Sequence, residues 1–255
     1  MIKTRRVNGK EVTIAGVTHL PTEDDKKLGG LIEESDVVGI EGGNWWWSFE
    51  DFVGERGERL IHEESKHIVE LDVIKSECED EKKGKYFSFR KERESKVFPF
   101  LLDTLSLAHL PFSIYENLFH KGNYRRAYRR GKIYRKLVDL EGDIISLFTY
   151  PVYTVRDVGM GYVIKSLAEE YDRILAVVGW GHLHPVSRLL DAPEKLERQF
   201  KRFSPCFKDE ARVRMPVKEI MTFIYGDENL RIQISRTLYD YPVVRRIPLK
   251  QRGST

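Results

Sequence analysis

Two histidines in this chain share a local pattern that suits metal or acid–base chemistry. His19 closes Gly16-Val17-Thr18-His19 and His182 closes Gly179-Trp180-Gly181-His182. Each Gly-x-x-His follows an apolar, β-branched run, Val12-Thr13-Ile14 in the first case and Ile174-Leu175-Ala176-Val177-Val178 in the second. Both imidazoles are therefore expected in loops just past buried strands. Glu41 ends a third such run, Val37-Val38-Gly39-Ile40, where a charge needs a partner. Two neutral imidazoles and a carboxylate make a site for a divalent transition ion, with water in the open positions. Such an ion lowers the pKa of bound water from 15.7 to about 7 and so generates hydroxide at neutral pH. His19, Glu41 and His182 are the expected ligands, and manganese, cobalt or zinc the expected ions. Arg156 then stabilises a developing oxyanion, or fixes Glu41 through a bidentate pair; a purely structural salt bridge is the plainer alternative. Asp157 either orients one of the histidines or caps its own helix.

The elements that must position these groups are readable. Residues 11 to 41 form a strand–helix–strand unit, with Thr22 as helix N-cap, acidic residues in the first turn, and a stripe of Leu28, Leu31 and Ile32. A right-handed crossover makes the two strands parallel and brings residues 19 and 41 to one edge of a sheet. Downstream, Met160, Val163, Ile164, Leu167, Ala168 and Tyr171 lie on one helical face, which Arg156 extends by one turn. Only Asp172 and Arg173 separate that helix from the strand 174–179, so the two run antiparallel and Arg156 meets His182 at the same edge.

The fold expected is α/β: a central mixed, partly parallel sheet flanked by helices, as a single domain over 1–255. Its core is 1–53 and 151–250, with a mostly helical insertion at 54–150 and a C-terminal β-hairpin at 219–235 around Gly226-Asp227-Glu228-Asn229. Within the insertion, Leu60, Ile61, Glu64, His67, Ile68 and Leu71 read as one amphipathic helix. Leu101 to Phe119 forms another apolar helical stretch, interrupted by Pro111. It serves as a lid, as core packing or as a dimer contact, and a homo-oligomer stays open.

The chain has 43 basic and 40 acidic residues, so a net charge of +3 selects no class of partner. Only eight residues are Asn or Gln, against abundant Lys, Arg and Glu, which resembles the composition of thermophile proteins. Cys78 and Cys206 have no metal-motif spacing, and no apolar run approaches the ~20 residues of a membrane span. A cytoplasmic protein without a membrane segment is the expectation.

Other motifs point elsewhere. His62 and His67 imitate a zincin motif, but five residues on a regular helix turn one imidazole about 140° from the other. Gly179-x-Gly181 imitates a dinucleotide fingerprint with His184 at its third glycine position. Lys121 to Lys136 carries eight Lys or Arg residues with Tyr124, Tyr128 and Tyr134 interleaved. A solvated helix face explains that segment better than nucleic-acid binding. Trp45, Trp46 and Trp47 wall a ligand pocket or pack in the core.

The ordered set of two Gly-x-x-His motifs, Glu41 and Arg156-Asp157 resembles the TraB/PrgY family. That family belongs with Tiki peptidases, GumN-like proteins, ChaN-like haem-binding proteins and erythromycin esterases. The resemblance touches residues 12–41 and 154–186 and implies an α/β core whose site positions match His19, Glu41, Arg156 and His182. It implies a metal-dependent hydrolase, most simply peptidase-like, acting on a peptide or small molecule. The family's glutamate just before the arginine is Val155 here, with Glu141 or Asp157 as compensating carboxylates, and His184 as an added ligand. A TraB-like regulator that binds its ligand without catalysis is the alternative implication.

Overall fold

The computed structural model describes residues 2–17, 25–42, 49–75, 155–216 and 241–249. Seven strands form one mixed sheet: β1 (Ile2–Val7), β2 (Lys10–Val17), β3 (Val37–Ile40), β4 (His67–Glu70), β5 (Arg173–Gly179), β6 (Glu210–Arg214) and β7 (Val243–Pro248). Their order is β1-β2-β5-β3-β4-β6-β7. The four middle strands are mutually parallel, and β1, β6 and β7 add antiparallel to the edges. This is the mixed, partly parallel α/β sheet that the sequence suggests.

Helices cover both faces. The middle strands are apolar almost throughout because each is buried on two sides. Ala15, Val38, Ile40, Leu175 and Val177 pack toward α1 (Asp25–Glu34) and α2 (Phe49–Glu63). Alternate residues Val12, Ile14, Val37, Ala176 and Val178 pack toward α3 (Val155–Leu167), α4 (Trp180–Leu190) and α5 (Pro193–Arg202). On that second face Tyr162, Phe200 and Phe207 stack with centroid spacings of 3.5 and 4.7 Å.

One expected element is corrected. The helix read over residues 60–71 stops at Glu63, and His67–Glu70 is a strand of the parallel sheet. Ser65, at φ 51, ends the helix: Lys66 N donates to Ile61 O and Ser65 N to His62 O, the paired bonds of a Schellman turn. Lys66 Nζ then donates to the carbonyls of Glu33 and Ser35 at the end of α1, fixing where β4 begins. Strand β4 thus belongs to the sheet although it lies within the stretch expected as a helical insertion. The expected helix at 101–119, the basic stretch 121–136, Trp45–Trp47 and the hairpin at 219–235 lie outside the described residues. Among the described residues, no helix is long and apolar enough to cross a membrane.

The parallel ladder decides where the site forms. Val17 pairs with Gly179 and Ile40 with Val177, so β2, β5 and β3 end level with one another. The chain leaves β5 into α4 on one face, while β3 and β2 lead to α2 and α1 on the other. Such reversals open crevices beyond the carboxyl ends of parallel strands. Close β3–β4 packing needs Gly39, where an added Cβ would stand 2.6 Å from Leu71 Cδ2 in a fully buried setting. Gly39→Ala is therefore expected to destabilise the protein by about 1–3 kcal/mol. Urea denaturation measures this, and a change below about 0.5 kcal/mol, the ordinary range for a surface substitution, would show that the contact is not tight.

Candidate functional site

Four element ends converge at this rim: the exits of β3 and β4 and the first turns of α3 and α4. Beyond β3, Glu41 N donates to Val177 O at 2.9 Å, which holds Glu41 in the ladder beside β5. Beyond β4 the ladder also continues. Leu71 N donates to Ile40 O and Asp72 N to Glu41 O, at 2.8 and 3.2 Å, so Asp72 lies next to Glu41. Arg156 and Asp157 occupy the first turn of α3, and His182 the first turn of α4.

The expectation that His182 sits in a loop is corrected here. Gly179 ends β5 and is itself the N-cap residue of α4, with φ −61° and ψ 152°. Its N–H donates to Glu41 Oε2 at 2.6 Å. The carboxylate thus takes an N–H at the positive end of a helix, a favourable place for an anion.

Glu41 is 6% exposed and holds three partners. Besides Gly179, Arg156 Nη2 donates to Oε1 at 2.8 Å, and His182 Nε2 stands 3.3 Å from the same oxygen. His182 Nδ1 donates to Asp157 Oδ1 at 2.7 Å, so one imidazole lies between two carboxylates. Arg156 Nε donates to Asp72 Oδ2 at 2.8 Å, so one guanidinium likewise joins two carboxylates. Asp72 Oδ1 accepts the Ile74 N–H at 3.2 Å.

Burial and charge set the protonation states. Burial would lower the His182 pKa, but Glu41 and Asp157 outweigh it and push it up to about 10. Burial would raise the Glu41 pKa, but His182, Arg156 and the Gly179 N–H hold it far below the usual carboxylate range. For Asp72 burial prevails over Arg156 and, with Glu41 and Glu70 nearby, raises its pKa. Arg156, with two buried carboxylates against it, is held more firmly charged than a free guanidinium. An imidazolium and a guanidinium therefore face Glu41 in common.

Glu41, Arg156, Asp157 and His182 are thus brought together. His19 lies outside the described residues, two positions past the end of β2. Val155 is 4% exposed, in the core. His184 Nδ1 accepts from Lys3 Nζ at 2.6 Å, which turns it toward β1. His62 and His67 part company: His62 Nε2 meets the Tyr241 hydroxyl at 2.8 Å, and His67 Nδ1 meets that of Tyr171 at 3.2 Å. Sequence reasoning missed Asp72, which stands two residues past the end of β4, because the residues before it were read as one helix.

Two of these atoms are spaced as an ion pair and equally as two ligands of one ion would be. Nε2 and Oε1, 3.3 Å apart, match the roughly 3.4 Å between two ligands of a tetrahedral ion with ~2.1 Å bonds. Asp157 behind Nδ1 supplies the carboxylate that commonly orients a ligating histidine. His182 would have to give up its Nε2 proton to hold an ion, and Glu41 Oε1 would keep its bond to Arg156. Among the described residues, no group of three or more His, Cys, Asp or Glu side chains is arranged to hold a metal. No protein-family model matches the chain, and neither a curated protein nor a solved structure matches it.

The raised His182 pKa has a signed consequence for stability. The folded form binds the proton more tightly than the unfolded one, whose pKa is near 6.5. The stabilisation from His182 is complete below pH 6.5 and is lost as pH rises toward about 10. In metal-free protein the His182 ring signals are expected to stay constant from pH 5 to 8 by NMR. The stability difference between wild type and His182→Asn is expected to shrink from pH 7 to pH 10. A ring titrating near 6.5 would show that the two carboxylates do not flank it.

Proposed function

We propose that the chain is a metal-dependent hydrolase of the TraB/PrgY type, acting on peptide bonds or a chemically similar amide or ester. The observation that carries this reading is the Asp157–His182–Glu41 relay, with Arg156 on the same Glu41 oxygen, at the carboxyl rim of the parallel strands. Glu41 and His182 would hold the ion, with His19 as the third ligand. A bound ion would supply Lewis-acid activation of water near neutral pH.

The protein's own groups do the rest. Asp157 fixes the imidazole through Nδ1, so Nε2 is directed at Glu41. Gly179 N–H and Arg156 fix both oxygens of Glu41. Arg156, with 29% of its side chain exposed, is placed to meet an oxygen that gains negative charge as the bond breaks. Trp180 and Gly181, half-buried, precede His182 in the first turn of α4.

A second reading has its own support. Without an ion, Glu41 and His182 satisfy one another, with His182 charged at neutral pH, which suits a ligand-binding regulator without catalysis. The two are separated by supplying Mn²⁺, Co²⁺ or Zn²⁺ in turn to purified protein and following a peptide library by mass spectrometry, with and without chelator. The hydrolase reading predicts cleavage that chelator abolishes and that falls at least about 100-fold in Glu41→Gln or His182→Ala. Wild-type protein that neither retains an ion nor cleaves any peptide would contradict it and favour the regulator.

A further inference from the structure

A guanidinium has five N–H donors in one plane, so the edge its partners occupy fixes the edge that remains. Arg156 directs Nε and Nη2 at two buried carboxylates. Nε and Nη2 both lie 2.8 Å from Asp72 Oδ2, and Nη2 also lies 2.8 Å from Glu41 Oε1. Nη1, at the opposite corner, has no hydrogen-bond partner among the described residues. Asp72 is held as firmly as the arginine it holds. It is 4% exposed, its Oδ1 takes the Ile74 N–H, and its own N–H is committed to the Glu41 carbonyl. Were Asp72 uncharged, Glu41 would be the one anion left on that edge. The fork would then turn its Nη1–Nη2 end to both Glu41 oxygens, a bidentate geometry that arginine and carboxylate favour, which withdraws Nη1 and frees Nε.

We propose that Asp72 is the positioning residue of this site: it locks Arg156 by its Nε edge so that Nη1 is presented to the substrate oxygen that becomes negatively charged. This rests on the hydrolase reading. Asp72 touches no reacting atom and acts through Arg156 alone.

The test uses the full chain labelled with ¹⁵N-arginine. The rate at which the Arg156 Nε–H exchanges with water is compared with that of exposed Arg198, with Arg156→Lys assigning the signal. Exchange is expected to be at least tenfold slower at Arg156 and to rise to the Arg198 rate in Asp72→Asn. An Arg156 rate equal to that of Arg198 in wild type, or one that stays slow in Asp72→Asn, overturns the proposal. On a peptide that wild type cleaves, Asp72→Asn is expected to lower kcat about 100-fold with KM changed less than threefold. An unchanged kcat overturns the positioning role and leaves the hydrolase intact. Absence of cleavage by wild type removes the hydrolase reading, and the exchange rates then decide whether Asp72 locks Arg156. If Asp72→Asn does not fold, the wild-type rate decides.

Discussion

Everything at this rim depends on keeping one carboxylate charged where water scarcely reaches. Taking an ion such as Glu41 out of solvent costs several kcal/mol, which only close opposite charge and directed hydrogen bonds offset. The fold supplies both. Gly179 N–H meets one oxygen; Arg156 and His182 meet the other. Each partner is itself held from behind, Arg156 by Asp72 and His182 by Asp157. Removing Arg156 or His182 leaves a carboxylate without its cation, and removing Asp72 or Asp157 frees the cation it holds to move, so the five side chains act as a unit.

The backbone makes this arrangement possible because every member sits at an element end. Parallel strands finish level, so Glu41 and Asp72 emerge side by side from β3 and β4. Helices α3 and α4 both begin at that edge, since α3 runs back against β5 and α4 starts without an intervening loop. Their first turns favour carboxylates and disfavour cations. Arg156 and His182 stand there against the helix dipole, and the carboxylates they face supply what the dipole withholds.

Much of this was legible in the sequence. The strand–helix–strand unit over 11–41 and the two-residue link between α3 and β5 sufficed to bring Glu41, Arg156 and His182 to one edge. That inference needs only strand direction and chain connectivity. Asp72 escaped because residues 60–71 satisfy a helical period as well as the helix and strand that form. What separates them is Ser65 in a left-handed conformation, where a glycine would have announced the turn. The placement of His182 on a helix was equally hidden, because a glycine N-cap with Pro185 five residues into the helix reads as loop. The dinucleotide-like spacing Gly179-x-Gly181 does mark a strand-to-helix junction, but there a protein carboxylate, Glu41, takes the Gly179 N–H.

The central claim is that Glu41 and His182 are charged partners within one buried unit. A double-mutant cycle on unfolding free energy at pH 7, with Glu41→Gln, His182→Asn and both together, tests it most directly. The account predicts a coupling of about 1–3 kcal/mol, because each single change strands the other charge. Effects that add to within about 0.3 kcal/mol would mean the two groups do not meet, and would contradict it.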